Sequence, residues 1–307
     1  MPAPETDGSE ADGPATDGLV LVDKPSGMTS HDVVARMRRI AHTRKVGHAG
    51  TLDPMATGVL VLGINRGTRL LHHLVLTDKA YTATLRLGMA TVTDDAEGEP
   101  LQSTSAAAVR EDDVRAALAR FTGAIEQVPS SVSAIKVDGR RAYARVRAGE
   151  AVDLPARPVT VHRFDAIAFS RPGPELLDVE VQVECSSGTY VRALARDVGA
   201  ALGVGGHLTA LRRTRVGPFL VDDAHSLERL AEPGALAVLG LTAAISQSMP
   251  VRTIDAAQQR ELGFGRSLAA VDIDGVYGAI GGDGTAVALL REGDGRAAPV
   301  LVFTPAG

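Results

Sequence analysis

The densest chemical signal in this 307-residue chain is the run Gly47-His48-Ala49-Gly50-Thr51-Leu52-Asp53-Pro54-Met55-Ala56-Thr57-Gly58. Its glycines and proline fix an irregular backbone, so the loop is shaped rather than merely flexible. It presents one carboxylate, Asp53, with His48 nearby. Beside a glycosidic carbon, a carboxylate supplies either a nucleophile or a negative charge facing a developing cation. The loop has no second acid, which argues against a two-carboxylate glycosidase. It has no Gly-Lys-Ser/Thr, so it is not a phosphate-binding P-loop. On local chemistry alone, Asp53 fits a turn-forming residue before proline equally well. The single cysteine, Cys185, has no basic partner at a suggestive spacing and reads as buried and inert.

The loop must be held by regular elements. Leu19-Val20-Leu21-Val22 is a buried-type strand, ended by Lys24-Pro25-Ser26-Gly27. With Ser30 as N-cap, Val33, Val34, Met37 and Ile40 recur at helical spacing and predict a helix over 31–42. Residues 43–58 read as one long loop, followed by the strand run Val59-Leu60-Val61-Leu62-Gly63. Alternation predicts strands at 81–87 and 176–183, and helical period predicts helices at 111–122, 189–202 and 219–245. Residues 127–155 carry little core pattern and read as a surface excursion. From about 250 onward, short β-rich runs alternate with Gly-Asp turns, which predicts a small separate domain.

Charge narrows the partner. The net charge of −5 argues at first against nucleic acid, yet Glu5, Asp7, Glu10, Asp12 and Asp17 all precede residue 18, where no Lys or Arg occurs. The remainder is neutral, and its basic residues cluster: Arg36 to Lys45, Lys136 to Arg147, and Arg212, Arg213 and Arg215. A neutral body with local basic stripes can hold phosphates. One cysteine excludes a disulfide framework and a multi-Cys zinc site and fits a reducing cytoplasm. No apolar run is long enough to span a bilayer, and no secretory signal is evident.

Leu21-Val22-Asp23-Lys24-Pro25-Ser26-Gly27-Met28-Thr29-Ser30, followed by the Gly47–Gly58 run, resembles the TruB family of tRNA pseudouridine-55 synthases. Further segments agree in order: Asp78-Lys79-Ala80-Tyr81, Ser133 to Gly139 with Arg141-Ala142-Tyr143, Arg157-Pro158-Val159, Cys185 to Arg192, and Gly206 to Arg213. The resemblance covers roughly residues 18–220, and 250–307 is more weakly similar to the family's PUA-type RNA-binding domain. It implies an α+β catalytic domain at 18–248, with a mixed, largely antiparallel sheet, flanking helices and an RNA cleft. An acidic disordered tail would precede it at 1–17, and a β-rich PUA-like domain would follow at 249–307.

The implied reaction isomerises uridine 55 in the tRNA T-loop, without guide RNA, cofactor or metal, in a cytoplasmic monomer. By the same resemblance, Asp53 is the essential catalytic carboxylate. The resemblance leaves open whether it attacks C1′ or abstracts a proton to give a glycal. Arg192 would partner Asp53 and depress its pKa. Tyr81 would stack on the flipped base, Tyr190 and Leu211 would line the pocket, and His48 would fill the gap left by flipping. Lys24-Pro25 would be chiefly structural. The excursion at 127–155 corresponds to an insertion that grips the T-loop, with Lys136, Arg140, Arg141 and Arg145 as phosphate contacts. Arg212, Arg213 and Arg215 would form a second phosphate track. Pro129-Ser130-Ser131-Val132 departs from the family's two prolines and an aromatic before Ser-Ala-Lys, which bears on the T-loop contacts only. Two rival functions share these motifs: a non-catalytic tRNA-binding or folding factor, and a guide-RNA-dependent synthase.

Overall fold

A computed structural model describes residues 17–130, 136–137, 140–141 and 155–305. The main sheet has ten strands. In chain order the chain begins with β1 (Gly18–Lys24), α1 (Ser30–Ile40), β2 (Val46–Ala49), β3 (Thr57–Ile64), α2 (Leu71–Val75) and β4 (Lys79–Leu87). A small ribbon of β5 (Met89–Thr91) and β6 (Pro100–Ser103) leads to α3 (Glu111–Arg120) and β7 (Gly123–Gln127). The two-residue strands β8 (Lys136–Val137) and β9 (Arg140–Arg141) pair only with each other. Then follow β10 (Arg157–Gly173), β11 (Leu176–Cys185), α4 (Val191–Ala201), β12 (Gly206–Val216), β13 (Phe219–Leu220), α5 (Leu227–Leu230), β14 (Leu239–Gly240) and α6 (Leu241–Ser248).

The strand order is β14-β1-β3-β12-β4-β11-β10-β7, with β2 beside β3 and β13 beside β12. Every pairing in this sheet is antiparallel except β3 with β12, so the expected mixed, largely antiparallel sheet is present. A second sheet of five strands comprises β15 (Val251–Ile254), β16 (Leu268–Ala269), β17 (Val276–Gly281), β18 (Ala286–Gly293) and β19 (Arg296–Val302), with α7 (Ala256–Gly263) packed against it.

Alternation decides which helix each strand receives. Tyr81, Ala83, Leu85 and Leu87 of β4 share one apolar cluster with Val179 and Val181 of β11, Leu194 and Val198 of α4, and Val114 and Leu118 of α3. Val33, Val34 and Met37 of α1 cover Val20, Val22, Leu60 and Leu62. The second sheet is not an appendage. Ile280, Ala286, Leu289 and Phe303 share a cluster with Leu19, Val59 and Val61, joined by Ala244 and Ile245 of α6. Arg66 and Arg69 also donate to the carbonyls of Phe303 and Val302.

Several sequence expectations change. Thr29, not Ser30, caps α1, in a capping box with Asp32. The long loop at 43–58 contains β2, which forms a hairpin with β3. The helix expected over 219–245 is replaced by β13, α5, β14 and the start of α6. Pro233-Gly234 interrupts that stretch, and its backbone preferences outweigh the apolar period. Asp17, the last residue of the expected tail, is held by Arg66, whose backbone N donates to Oδ1 at 2.8 Å. The rest of that tail, 1–16, lies outside the described residues. Among the described residues no helix is long and apolar enough to cross a membrane.

Candidate active site

The Asp53 loop closes the β2–β3 hairpin, and buried polar groups shape it from behind. Lys24 ends β1 and has no exposed surface. Its Nζ donates to the carbonyls of Pro25 (2.9 Å), Met28 (2.5 Å) and Pro54 (3.1 Å). Burial lowers the Lys24 pKa from 10.5 to about 8, with the Asp53 charge opposing that fall. Ser30 at the start of α1 both accepts from the Leu52 amide (2.9 Å) and donates to the Leu52 carbonyl (3.1 Å). Gly27 N donates to the Pro54 carbonyl at 2.8 Å. The Lys24-Pro25 turn and the Asp53-Pro54 turn therefore form one hydrogen-bonded unit.

Arg213 supports the other flank. It sits on β12 between Gly58 of β3 and Tyr81 of β4. Its guanidinium donates to the Val59 carbonyl (2.8 Å) and the Gly50 carbonyl (3.0 Å). Gly58, at φ +100°, lies so close that a Cβ would come within 2.2 Å of the Arg213 carbonyl oxygen. With 1% exposure, Arg213 cannot be the surface phosphate contact expected of it; it props the loop. Arg212, next to it, forms a two-bond ion pair with Asp23 at 3.0 and 2.8 Å. Arg215 pairs with Glu184 at 3.0 Å.

Asp53 meets Arg192 near the start of α4, Oδ2 to Nε, at 2.9 Å. Arg192 is 5% exposed, whereas the Asp53 side chain keeps 37% of its surface, so the arginine lies behind the carboxylate and the carboxylate faces out. Behind Arg192 stands a group that sequence reasoning missed. Asp95, 5% exposed, meets Arg192 Nη1 at 3.3 Å, and the Thr93 carbonyl accepts from the same nitrogen at 2.9 Å. Asp95 also accepts from the Thr93 hydroxyl and the Glu97 amide. The arginine is thus held from behind through Nη1 while its Nε meets Asp53.

The expected depression of the Asp53 pKa is not found. Burial raises it above 3.8, and the Asp95 charge raises it further. Arg192 and Lys24 offset this only in part. The cause is location: the protein packed around the carboxylate replaces much of its hydration.

Tyr81, 8% exposed, shares its apolar cluster with Leu52, Ala56 and Leu211, so the expected stacking ring and the expected wall residue adjoin the loop. Burial raises the Tyr81 pKa, while the Arg213 guanidinium opposes the rise. Tyr190 caps α4, and both its backbone groups are held by the buried Gln127 side chain, at 2.8 and 3.1 Å. His48 lies on β2, with the His31 ring edge-on at 5.5 Å. Its Nδ1 is buried with no hydrogen-bond partner among the described residues. Burial lowers its pKa, and His31 and Arg213 push the same way. Cys185 is 1% exposed and its thiol is pushed up to about 11 by burial, in keeping with an inert role.

The structure therefore gathers Asp53, Arg192, Tyr81, Leu211 and His48 around one loop. Of the expected phosphate contacts, Arg213 adjoins the loop as a buried prop. Lys136, Arg140 and Arg141 are described only as backbone of β8 and β9, and Arg145 lies outside the described residues, with most of 127–155. Among the described residues no three His, Cys, Asp or Glu side chains are grouped to hold a metal ion.

Comparison with known proteins places this geometry in a family. Residues 38–191 match the model of the TruB family pseudouridylate synthase N-terminal domain. Residues 192–237 match a tRNA pseudouridylate synthase B C-terminal domain, and 249–304 the C-terminal model of tRNA pseudouridine synthase II. The tRNA pseudouridine synthase B of Arthrobacter sp. (strain FB24) is 62% identical, over 94% of this chain and 97% of the relative. That of Nocardia farcinica is 61% identical over 94% of each chain. Among solved structures, a chain of an H/ACA RNP bound to a substrate RNA containing 2'-deoxyuridine superposes with a TM-score of 0.71 at 25% identity. That match covers 94% of this chain and 85% of the other. With its fold, its Asp53 loop and similarities that cover 94% of its length all in agreement, the chain belongs to the TruB family of pseudouridylate synthases.

Proposed function

We propose that this enzyme isomerises uridine to pseudouridine at position 55 in the T-loop of tRNA, without a guide RNA, and that Asp53 is the acting carboxylate. The observation that carries this reading is the half-exposed Asp53 backed by the buried Arg192 and Asp95 beside Tyr81. Relatives at 62% and 61% identity named tRNA pseudouridine synthase B support the tRNA substrate.

The target uridine must leave the RNA stack, at a cost of a few kcal/mol by order of magnitude. Tyr81 recovers part of it by stacking, worth about 1–3 kcal/mol. The N1–C1′ bond breaks, with Asp53 either bonding to C1′ or removing a C2′ proton to leave a glycal. The freed base rotates within the apolar wall of Leu211 and Leu52, which keeps water from the sugar. C5 then bonds to C1′ as the Asp53–C1′ bond breaks or, on the glycal route, as Asp53 returns the proton to C2′; the C5 hydrogen leaves as a proton, and N1 gains one. Arg192 aims Asp53, and its charge favours the ionised carboxylate; the Tyr81 hydroxyl is the candidate for relaying the late proton from C5.

Residues 127–155 would grip the T-loop and 249–307 would serve as a PUA-like RNA-binding domain, in a monomeric cytoplasmic enzyme. The direct test is tritium release from an isolated T-loop stem-loop carrying [5-³H]uridine, with no other RNA added. Release supports an unguided T-loop synthase. No release from the stem-loop or from whole tRNA, with tight RNA binding retained, would favour a binding factor instead.

A further inference from the structure

Helix α4 carries two arginines one turn apart, and each holds a different aspartate of the same turn. Arg192 meets Asp95 and Arg196 meets Asp94, both at 3.3 Å. Consecutive residues in extended chain point to opposite faces. Here Asp94 adopts φ +59°, a left-handed conformation unfavourable for residues other than glycine, although Asp tolerates it better than most. That conformation turns both carboxylates toward α4.

The turn is tied down elsewhere as well. The Leu208 amide donates to the Asp94 carbonyl (3.0 Å), and the Thr91 hydroxyl donates to the Asp95 carbonyl (2.7 Å). Arg196 uses its remaining donors on the Val128 carbonyl (2.7 Å) and on Asp197 (2.8 Å). Its fork therefore joins three segments: the 94–95 turn, the end of β7 and its own helix. Arg192 depends on that turn for both of its rear contacts, Asp95 and the Thr93 carbonyl.

We propose that Arg196 and Asp94 are a positioning pair for the reaction: they lock the Asp94-Asp95 turn against α4 and so set the angle at which Arg192 meets Asp53. This rests on the reading of Asp53 as the acting carboxylate. Neither residue touches the reacting atoms. Asp94 is buried and Arg196 partly exposed, at 10% and 29%, so a lost partner costs stability too and a lower melting temperature alone does not identify their role. Their effect belongs in the rate, because a small misplacement of an orienting group is costly there. The charged groups that act on Asp53 are Arg192, Asp95 and Lys24; those on Asp94 are Arg196, Arg192 and Asp197.

The experiment is single-turnover tritium release by the full chain, with RNA affinity and a pH profile, for Arg196→Gln, Asp94→Asn and Asp94→Gly. Each variant is expected to lower the rate constant about tenfold to a hundredfold while RNA affinity stays within about twofold. The acid limb should move to higher pH, since a loosened Arg192 offsets less of the burial of Asp53. The double variant Arg196→Gln with Asp94→Asn should be no slower than the worse single variant, because both act through one turn. An unchanged rate and acid limb, with only a lower melting temperature, would overturn the proposal. So would weakened RNA binding with the rate kept. If Arg196→Gln does not fold, Asp94→Gly decides, because glycine keeps the left-handed backbone and removes only the carboxylate. A wild-type rate in that variant refutes the pair. Retained activity in Asp53→Asn is a separate result and refutes the proposed function itself.

Discussion

Around Asp53 the deepest side chains are charged. Lys24, Arg192 and Arg213 are between 0% and 5% exposed, and they spend their donors on loop carbonyls and carboxylates. The five-stranded sheet closes on Ile254, Leu262, Val287, Ala288 and Leu290, with Tyr277 donating its hydroxyl to Glu292 at 2.8 Å. Burying charge is a poor way to gain stability, since desolvation consumes most of the attraction. Its concentration behind one loop shows that the loop is built for position, whereas the second sheet is built for cohesion. The two regions should therefore respond to mutation in different observables.

The largest effect is expected at the loop's tip. Asp53→Asn should lower single-turnover tritium release by more than about a thousandfold with RNA affinity nearly unchanged. Arg192→Gln should cost about a hundredfold in rate. It should also reshape the pH profile. Asp53 acts as the carboxylate and its pKa is raised above 3.8, so activity falls as pH drops through a value higher than that of an ordinary Asp. Without the arginine's opposing charge, that limb moves higher still. Lys24→Met leaves three carbonyls without their donor and should cost about 2–3 kcal/mol of stability, read by urea unfolding. Tyr277→Phe is the contrasting case: about 1 kcal/mol of stability and no change in rate, measured by the same two assays. A rate loss in Tyr277→Phe, or none in Arg192→Gln, would erase the distinction between the regions.

The loop was legible in the sequence because Gly50, Asp53, Pro54 and Gly58 impose shape through backbone chemistry that needs no distant partner. Helices α1, α3 and α4 were legible through their apolar faces. Arg192 could be named from the family resemblance, but its environment could not. Asp95 lies 97 residues before it, and Thr93-Asp94-Asp95 in isolation is indistinguishable from a solvated turn. The balance at Asp53 was missed for the same reason: desolvation depends on what surrounds a carboxylate in space. β12 was invisible for another reason. It lies within the main sheet yet carries Arg212, Arg213 and Arg215, and buried arginine defeats any reading that equates charge with surface. The run 219–245 failed in reverse, because its apolar period serves several short elements rather than one helix.

The central claim is that Asp53 acts on the sugar while the groups behind it only aim it. Single-turnover release of tritium from a [5-³H]uridine T-loop RNA, with wild type and Asp53→Asn compared at saturating enzyme, tests it most directly. The account predicts rapid release by wild type and none by the variant, with the RNA still bound. Release by Asp53→Asn at a rate near wild type would contradict it and move the chemistry to another group.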